Sequence, residues 1–506
     1  MKRVMNSVVV VVVVVLSVHA QQLGRVEFPT SGSEKAQAHF LRGLAALHSF
    51  WYEEALDEFR ESTKIEPDFA MGYWGEAMTY NHPLWSEQDL TAARAVVAKF
   101  KDTAKLTERE RAYLNAVRTL YGEGDKRARD AAYSAAMEKI YRAYPDDLDA
   151  AAFYSLSLLG MMNGEKGYRL QAKAGAIALE VYQKNPNHPG AAHYIIHAFD
   201  DPDHAILALP AARRYASIAP EAHHARHMPS HIFLQLGMWP EAAASNESAW
   251  ESSDAWMKRK NLSVNVRDYH SLHWLLYAYL QQNRYDDAEK LLTLMKKVMS
   301  ESTYDNKLRP GYYENNYANM AAAFIVETER WNLANELFPE TKTPATSEMT
   351  GAHGSHGAAP ASGSATLRTS SASVTLPLFV RGLAAAMNGS DVSSFITALQ
   401  AVRSNRPANS EIFELEIAAL SASMKKDHEK AIELMRRATA LEEATNAPYG
   451  PPSLIKPSHE LFGEILLRAG KSAEATEQFK IALLRQPNRA RSLQGLSRAA
   501  AQTSRR

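Results

Sequence analysis

One spacing of small, large and proline residues occurs near both ends of the chain and limits what it can fold into. The first copy has offsets of twelve, four and eight residues between Gly43, Ala55, Phe59 and Pro67. The later copy keeps the last two of these offsets in Ala475, Phe479, Ala482 and Pro487. Small residues let two helices approach closely, and proline ends a helix because it has no N–H to donate. Since apolar residues elsewhere recur at three and four positions rather than two, the chain is predicted to consist of helix–turn–helix units.

This unit resembles the tetratricopeptide repeat, a helical hairpin of about 34 residues. The match is good over residues 40–67 and 456–487, and the resemblance covers most of 34–338 and 376–500. It implies an all-α solenoid of helical hairpins, wound as a right-handed superhelix with a concave groove. The segments HYIIHAFDDPDHA and HMPSHIFLQLGMWPEA further resemble a group of exported bacterial tetratricopeptide proteins of poorly defined function. That resemblance implies a fold and no particular activity.

Changes in composition divide the chain into expected segments. Residues 339–375 are rich in Ser, Thr, Ala, Gly and Pro and have few large apolar residues. We therefore expect a flexible linker or long loop there. His353 and His356, which lie within it, are weak metal-ligand candidates. The expected boundaries are a signal peptide at 1–20, a short leader at 21–33, an N-terminal helical array at 34–338, the linker at 339–375, a C-terminal array at 376–500 and a tail at 501–506.

The first twenty residues have the pattern of a secretory signal. Lys2 and Arg3 precede nine apolar residues at 8–16, and small residues lead to Ala20. Nine residues span about 14 Å as a helix, roughly half of a bilayer's hydrocarbon core. We therefore expect cleavage after Ala20, no stable membrane span afterwards, and a periplasmic or secreted protein.

Charge and cysteine content exclude several classes. Lys plus Arg and Asp plus Glu both number 57, so the net charge is zero, which argues against a nucleic-acid partner because such binding needs a basic surface. The chain has no cysteine, so any metal must be held by imidazoles, carboxylates or amides. Serine-hydrolase, phosphate-loop and dinucleotide motifs are absent from the sequence.

Four histidines follow the repeat. His193 and His197 are four residues apart, as are His227 and His231, and the two pairs are separated by 34 residues. These two pairs are the fifth and ninth residues of their units, and the next unit carries His270 and His273 as its second and fifth residues. Residues three or four apart share one face of a helix. Three neighbouring helices are thus predicted to present two imidazoles each, and the tetratricopeptide resemblance implies that this face lines the groove.

The same resemblance assigns further residues to the groove: His48, His82, Trp74, Tyr277, Asn316 and Asn319. Asp200 and Asp268 flank the histidine helices and are expected to orient the imidazoles from behind. Glu460 and Glu464 are weak candidates for a catalytic base or an additional ligand. His188, His204, His223 and His224 lie near loops and are assigned to the surface or to positions behind the ligands.

Three interpretations of the histidine rows remain open. They form a site for Zn, Fe, Mn or Cu, a groove of neutral imidazoles for an organic or peptide ligand, or a structural ladder between helices. The leading functional hypothesis is an exported binding protein that holds a peptide, protein or small ligand, with a bound transition metal. The alternatives are a metal-dependent hydrolase or oxidoreductase that uses a glutamate base, and a scaffold in which the histidines only pack.

The signal-peptide prediction can be tested directly. We expect the protein recovered from periplasm or medium to begin at Gln21, because the small residues before it suit signal cleavage. Intact-mass measurement and N-terminal sequencing check this. A mature chain that retains the apolar run at 8–16 would contradict it.

Overall fold

The computed structural model describes residues 23–162, 168–301, 311–339, 372–402, 407–445 and 449–504. The expected signal peptide and most of the expected linker, including His353 and His356, lie outside these ranges. Within them the chain is a series of α-helices joined by short turns, as the apolar spacing predicts.

The helices before the linker are α1 (Glu34–His48), α2 (Tyr52–Ile65), α3 (Ala70–Met78), α4 (Leu90–Val97), α5 (Glu108–Leu120), α6 (Lys126–Ala143), α7 (Leu148–Gly160), α8 (Arg169–Lys184), α9 (Pro189–Ala198), α10 (Ala205–Ile218), α11 (His223–His227), α12 (Pro229–Gln235), α13 (Trp239–Lys260), α14 (Tyr269–Gln281), α15 (Tyr285–Glu301), α16 (Tyr312–Thr328) and α17 (Ala334–Leu337). Those after it are α18 (Ala372–Met387), α19 (Ser393–Val402), α20 (Pro407–Met424), α21 (His428–Glu443), α22 (Ser458–Arg468), α23 (Ser472–Arg485) and α24 (Ala490–Thr503). The two-residue strands β1 (Asn81–His82) and β2 (Glu87–Gln88) pair antiparallel.

The repeated spacing works through contact between a phenylalanine and two glycines. Phe59 of α2 lies between Gly43 of α1 and Gly75 of α3, and a Cβ atom on Gly75 would come within 2.3 Å of its ring. Phe479 of α23 lies in the same way between Gly463 of α22 and Gly495 of α24. Each ring therefore fills the space that the missing side chains leave on both neighbouring helices, and this fixes how successive hairpins stack.

The segment expected as a leader is part of the N-terminal core. Leu23 and Phe28 are buried, and the Phe28 ring packs against Phe40, Trp74 and Tyr113. The backbone N–H of Arg25 donates to the carbonyl of Asn187, 2.8 Å away. This segment consequently ties α1 to the turn before α9.

The apolar interior consists of two clusters, and the boundary between them does not lie at the expected linker. One buried cluster runs from Leu23 to Trp256, and the other from Phe233 to Ala499. The two meet around α12 and α13, whereas α16 and α18, which flank the linker, pack against each other within the second cluster. The helices on either side of 339–375 therefore belong to the same apolar core.

The end of the chain packs back against α13 and α14. The indole N–H of Trp239 donates to the carbonyl of Asn488 at 2.8 Å, and the backbone N–H of Ala490 donates to Gln281 Oε1 at 2.9 Å. Arg489 is fully buried and donates to the Tyr277 hydroxyl at 2.7 Å. The two helical arrays therefore form one body at this joint.

No helix in the described ranges is both long and apolar enough to cross a bilayer.

We expect Gly495→Ala to destabilise the protein although alanine is the better helix former. The added Cβ would lie within 2.3 Å of the Phe479 ring, so the hairpins must shift. Overpacking should outweigh the helix propensity and lower the free energy of unfolding by about 1–2 kcal/mol. Urea unfolding measures this, with Ser497→Ala on the exposed face of the same helix as the matched control. Equal stability of the two variants would mean that the contact does not limit packing.

Candidate metal centre

The four helices α9, α11, α12 and α14 bring the histidines together. His193 and His197 lie on α9, which starts at Pro189 with His188 as its N-cap. His227 ends α11 and His231 lies on α12, and the two short helices meet at Met228 and Pro229. Proline lacks the N–H that would continue the helical hydrogen bonds, so the chain bends there while the two imidazoles remain on one side. His270 lies in the first turn of α14, whose N-cap Asp268 accepts from Ser271 N at 3.0 Å.

The first triad consists of His227, His231 and His270. Each offers one ring nitrogen, and these three nitrogens lie within 4.8 Å of one another. The Nε2 atoms of His227 and His231 are 3.1 Å apart. The ring of His270 lies 4.7 Å from that of His227.

Hydrogen bonds at the opposite ring nitrogens fix the tautomers of this pair. His231 Nδ1 donates to Asp200 Oδ2 at 2.6 Å, and Gln235 holds the other carboxylate oxygen at 3.1 Å. His227 Nδ1 lies 2.6 Å from Asn246 Oδ1. The Asn246 amide is itself oriented, because its Nδ2 donates to the carbonyl of Ala242 at 2.8 Å. Both imidazoles therefore carry their proton on Nδ1 when neutral.

It follows that two Nε2 lone pairs face each other across 3.1 Å. Such an arrangement is repulsive unless a cation or a proton lies between the nitrogens. A tetrahedral metal with Zn–N bonds of 2.0–2.1 Å would separate two of its ligand nitrogens by about 3.3 Å. The observed spacing is close to this value, and the contact between His231 and Asp200 is the usual carboxylate support of a metal-bound imidazole.

The second triad consists of His193, His197 and His224, whose ligand nitrogens also lie within 4.8 Å of one another. His193 Nδ1 donates to the carbonyl of His48 at 2.7 Å, so its Nε2 carries a lone pair. That Nε2 is 3.0 Å from His197 Nε2. The structure gives the buried Nε2 of His224 no hydrogen-bond partner among the described residues.

The two triads are neighbours. The ring centroids of His197 and His231 are 5.7 Å apart, and those of His224 and His227 are 5.9 Å apart. These separations are only slightly larger than the 4.7 Å between His193 and His197 within one triad. The six rings thus form one continuous ladder across three repeats.

A third group, His48, Asp149 and His188, has its lone pairs in use. His48 Nε2 donates to Asp149 at 2.8 Å, and its Nδ1 lies 2.9 Å from the Tyr194 hydroxyl, which donates to it. His188 Nδ1 accepts from the backbone of Ala191 at 3.1 Å. No imidazole of this group has a free lone pair to offer, so it is a hydrogen-bond network rather than a metal site. Burial disfavours the charge of Asp149, but the hydrogen bonds from His188 and His48 hold its pKa below the usual range.

Burial favours the neutral form of His193 and His227. Desolvation, with smaller contributions from neighbouring imidazoles, lowers the pKa of His193 to about 3 and that of His227 to about 4. The same causes hold the pKa of His197, His224 and His270 well below its ordinary value. Neutral imidazole is the form that binds metal, so these residues are available as ligands at neutral pH.

Aromatic rings enclose the ladder. Phe50 lies against the second triad, with its ring 4.3 Å from that of His193, and its backbone has φ 52°. Trp274 lies against the first triad, 4.2 Å from the ring of His231. Gly450, from the loop before α22, packs against this indole. A Cβ atom at this position would come within 2.4 Å of the indole ring. The histidines are therefore covered by other side chains. The repeat resemblance implied instead that they are exposed along an open groove.

The structure brings five of the six predicted ligands into the triads and leaves out His273. Burial lowers the pKa of His273 to about 4, but its imidazole belongs to neither triad. His224, assigned to the surface from the sequence, takes the remaining place. Its position was detectable, because residues 224, 227 and 231 have the three- and four-residue spacing of one helix face.

Several residues assigned to the groove have other surroundings. Trp74 is fully buried against Phe28 and Tyr113, and Tyr277 is buried beside Trp239. His48 belongs to the network with Asp149, and His82 stacks on Tyr52 at 4.0 Å. Asn316 and Asn319 donate to carbonyls of their own helix, at 2.8 and 2.7 Å. The expectation that Trp74 and Tyr277 face a groove is wrong, because large aromatic rings fill the space between hairpins here.

Asp200 and Asp268, the two aspartates expected to orient the imidazoles, have different partners. Asp200 supports His231, as expected, whereas Asp268 caps α14 and lies 3.2 Å from His223 Nδ1. Burial alone would lower the pKa of His223, but the contact with Asp268 raises it.

Glu460 and Glu464 belong to a buried ion-pair network. Lys456 lies 3.0 Å from Glu460 and 2.7 Å from Glu464, and Arg489 lies 2.8 Å from Glu460. Burial would raise the pKa of Glu460, but the two cations hold it below its usual range. A carboxylate stabilised in this way is a poor proton acceptor, so the structure does not support Glu460 as a catalytic base.

Comparison with known proteins yields likenesses among solved structures alone. No family model matches the chain, and no curated protein matches it significantly. The chain is similar to yeast Tom70 (12% identity over 93% of this chain and 96% of that chain, TM-score 0.32) and to human IFIT1 bound to m7Gppp-AAAA (12% identity, 90% and 91%, TM-score 0.35). It is also similar to the Cut9–Hcn1 assembly (11% identity, 92% and 76%, TM-score 0.36). Likenesses at this level carry no argument about the site. The class of the protein, an all-α solenoid of tetratricopeptide-type hairpins, follows from its helices and their stacking.

We expect the metal-free protein to lose stability as the pH falls from about 6.5 to about 4. An unfolded histidine binds its proton near pH 6.5, whereas folded His227 does so at about pH 4. The unfolded state therefore binds more protons in this window, and each such imidazole lowers the free energy of unfolding by up to about 1.4 kcal/mol per pH unit. Urea unfolding with EDTA between pH 7.5 and 4.5 measures the slope.

His227→Gln isolates the contribution of that imidazole, since glutamine does not titrate. The variant should show a shallower slope than the parent protein between pH 6.5 and 4. Identical slopes for the two proteins would show that His227 is not held neutral by burial.

Proposed function

We propose that this protein is an exported helical-repeat scaffold that binds a transition metal through His227, His231 and His270. One observation carries the proposal: the Nε2 atoms of His227 and His231 face each other at 3.1 Å while both Nδ1 atoms donate to fixed acceptors. A metal between the two nitrogens turns this repulsion into coordination. His270 supplies a third imidazole, and three protein ligands leave a position for a small exogenous ligand.

A proton shared by the two imidazoles is the competing arrangement. It requires an imidazolium in a place where burial lowers the pKa of His227 to about 4. It also predicts a protein that contains no metal at neutral pH. Metal analysis therefore separates the two arrangements directly.

The donor set narrows the choice of metal. Each triad is made of imidazoles alone, and Asp200 contacts the ring of His231 from behind. Imidazole suits Zn and Cu, whereas Mn prefers carboxylate and water oxygens and non-haem Fe sites usually include a directly bound carboxylate. Zn or Cu is accordingly the metal we propose.

The position of the centre suggests what the metal does for the scaffold. His227 lies in the helix at the end of the first apolar core, and His270 lies on α14, which belongs to the second. A metal that binds both would fix the angle between the cores. Solenoids of this type commonly hold a partner along their concave face, and we propose a peptide or protein for this one. The signal-like residues 1–20 support export.

Metal analysis of untagged protein tests the proposal. We expect the purified protein to contain Zn or Cu, and His231→Gln to lose the metal of this triad because an imidazole ligand is removed. Asp200→Asn should weaken metal affinity by about 10–100-fold, since it removes the charge that supports His231. Mass spectrometry of the elements and competition with a chelator give both quantities.

His39→Gln serves as the matched control. His39 is partly exposed and pairs with Glu58, 2.7 Å away on the outer side of the first hairpin. It should retain the metal content of the parent protein. Metal content unchanged in His231→Gln, or no metal bound by the parent protein after incubation with Zn or Cu, would refute the proposed centre.

A further inference from the structure

We infer that the centre holds two metal ions side by side, the second bound by His193, His197 and His224. This inference rests on the proposed function, because it adds a second position to the same histidine ladder. The three ligand nitrogens of this triad satisfy the same 4.8 Å limit as those of the first. The pair of ions would have six imidazole ligands, three for each ion.

The tautomer of His193 is the first argument. A carbonyl can only accept, so the 2.7 Å contact with the carbonyl of His48 places the ring proton on Nδ1 of His193. The carbonyl of His48 is one of the last in α1, where helical partners run out. His193 therefore completes the end of α1 while its Nε2 lone pair points at His197, 3.0 Å away.

His224 is the second argument. A hydrogen bond from His197 to His193 would satisfy those two residues without metal, but it leaves the buried Nε2 of His224 without a partner. Leaving a buried polar nitrogen without a partner is unfavourable, because it has given up its hydrogen bond to water. A metal bound by all three residues satisfies every one of these nitrogens.

The surroundings indicate which metal suits a pair. Phe50, Trp85 and Tyr215 lie beside the second triad, and Trp274 lies beside the first. Two divalent ions would bring four positive charges into this apolar space, and burying charge without directly bound anions is costly. Copper, which imidazoles bind well and which also exists as a monovalent ion, meets this constraint better than zinc. We therefore assign the ladder to a pair of copper ions.

The two positions should differ in affinity. In the first triad, hydrogen bonds at Nδ1 orient two of the three imidazoles, with Asp200 and Asn246 as the acceptors. In the second triad, the hydrogen bond from His193 Nδ1 to the carbonyl of His48 orients one. Ligands that are already oriented bind metal more tightly. The first equivalent of copper should consequently enter the triad of His227, and the second that of His193.

Anaerobic titration of untagged, metal-free protein with Cu(I) tests this. After desalting, the parent protein should retain two copper ions per chain, and His224→Gln one. His193→Gln should also retain one, and far-UV circular dichroism and gel filtration report whether each variant is folded. His39→Gln should retain two.

The outcomes separate this inference from the proposed centre. One retained copper that His231→Gln abolishes and His224→Gln does not would overturn the second position and leave the first in place. Two retained ions in folded His224→Gln would overturn the assignment of the second position. No retained copper or zinc in the parent protein would end both proposals.

Discussion

Hydrogen bonds to the rear nitrogens of the imidazoles are the interactions on which the rest of the centre depends. Each acceptor comes from a different helix or turn: Asp200 follows α9, Asn246 lies on α13, and the carbonyl of His48 ends α1. The acceptors are fixed in turn, Asp200 by Gln235 and Asn246 by the carbonyl of Ala242. The direction in which each Nε2 points is thus determined by the stacking of several hairpins, and so the metal ligands and the fold stabilise each other.

Closure of the solenoid determines the electrostatics of this centre. Arg489 is buried among carboxylates and donates to Tyr277, which joins the last helix to α14. Separating a buried ion pair of this kind leaves an uncompensated buried charge, which is strongly destabilising. The same closure places Gly450 over Trp274 and so covers the first triad. Water is kept from His227 and His270, which lowers the pKa of both and leaves them neutral and able to bind metal.

Much of the helical framework is predictable because its determinants are local. The unit expected over residues 40–67 is observed as the hairpin of α1 and α2, and the unit expected over 456–487 as that of α22 and α23. The 34-residue phase correctly places His197 beside His231. The exchange of His273 for His224 was missed because His224 was assigned by its nearness to a loop, although residues 224, 227 and 231 have the spacing of one helix face.

The sequence alone determined that this chain is a row of helical hairpins and that its histidines recur in phase. Both follow from the helical period and from small residues that admit a phenylalanine, as Gly43 and Gly75 admit Phe59. Only the tertiary structure decided which nitrogen of each ring carries the proton, which histidines complete each triad, and that Trp74 and Tyr277 are buried. The reason is physical: these properties depend on contacts between residues that lie far apart in the sequence, such as those of His193 with His48 and of Tyr277 with Arg489.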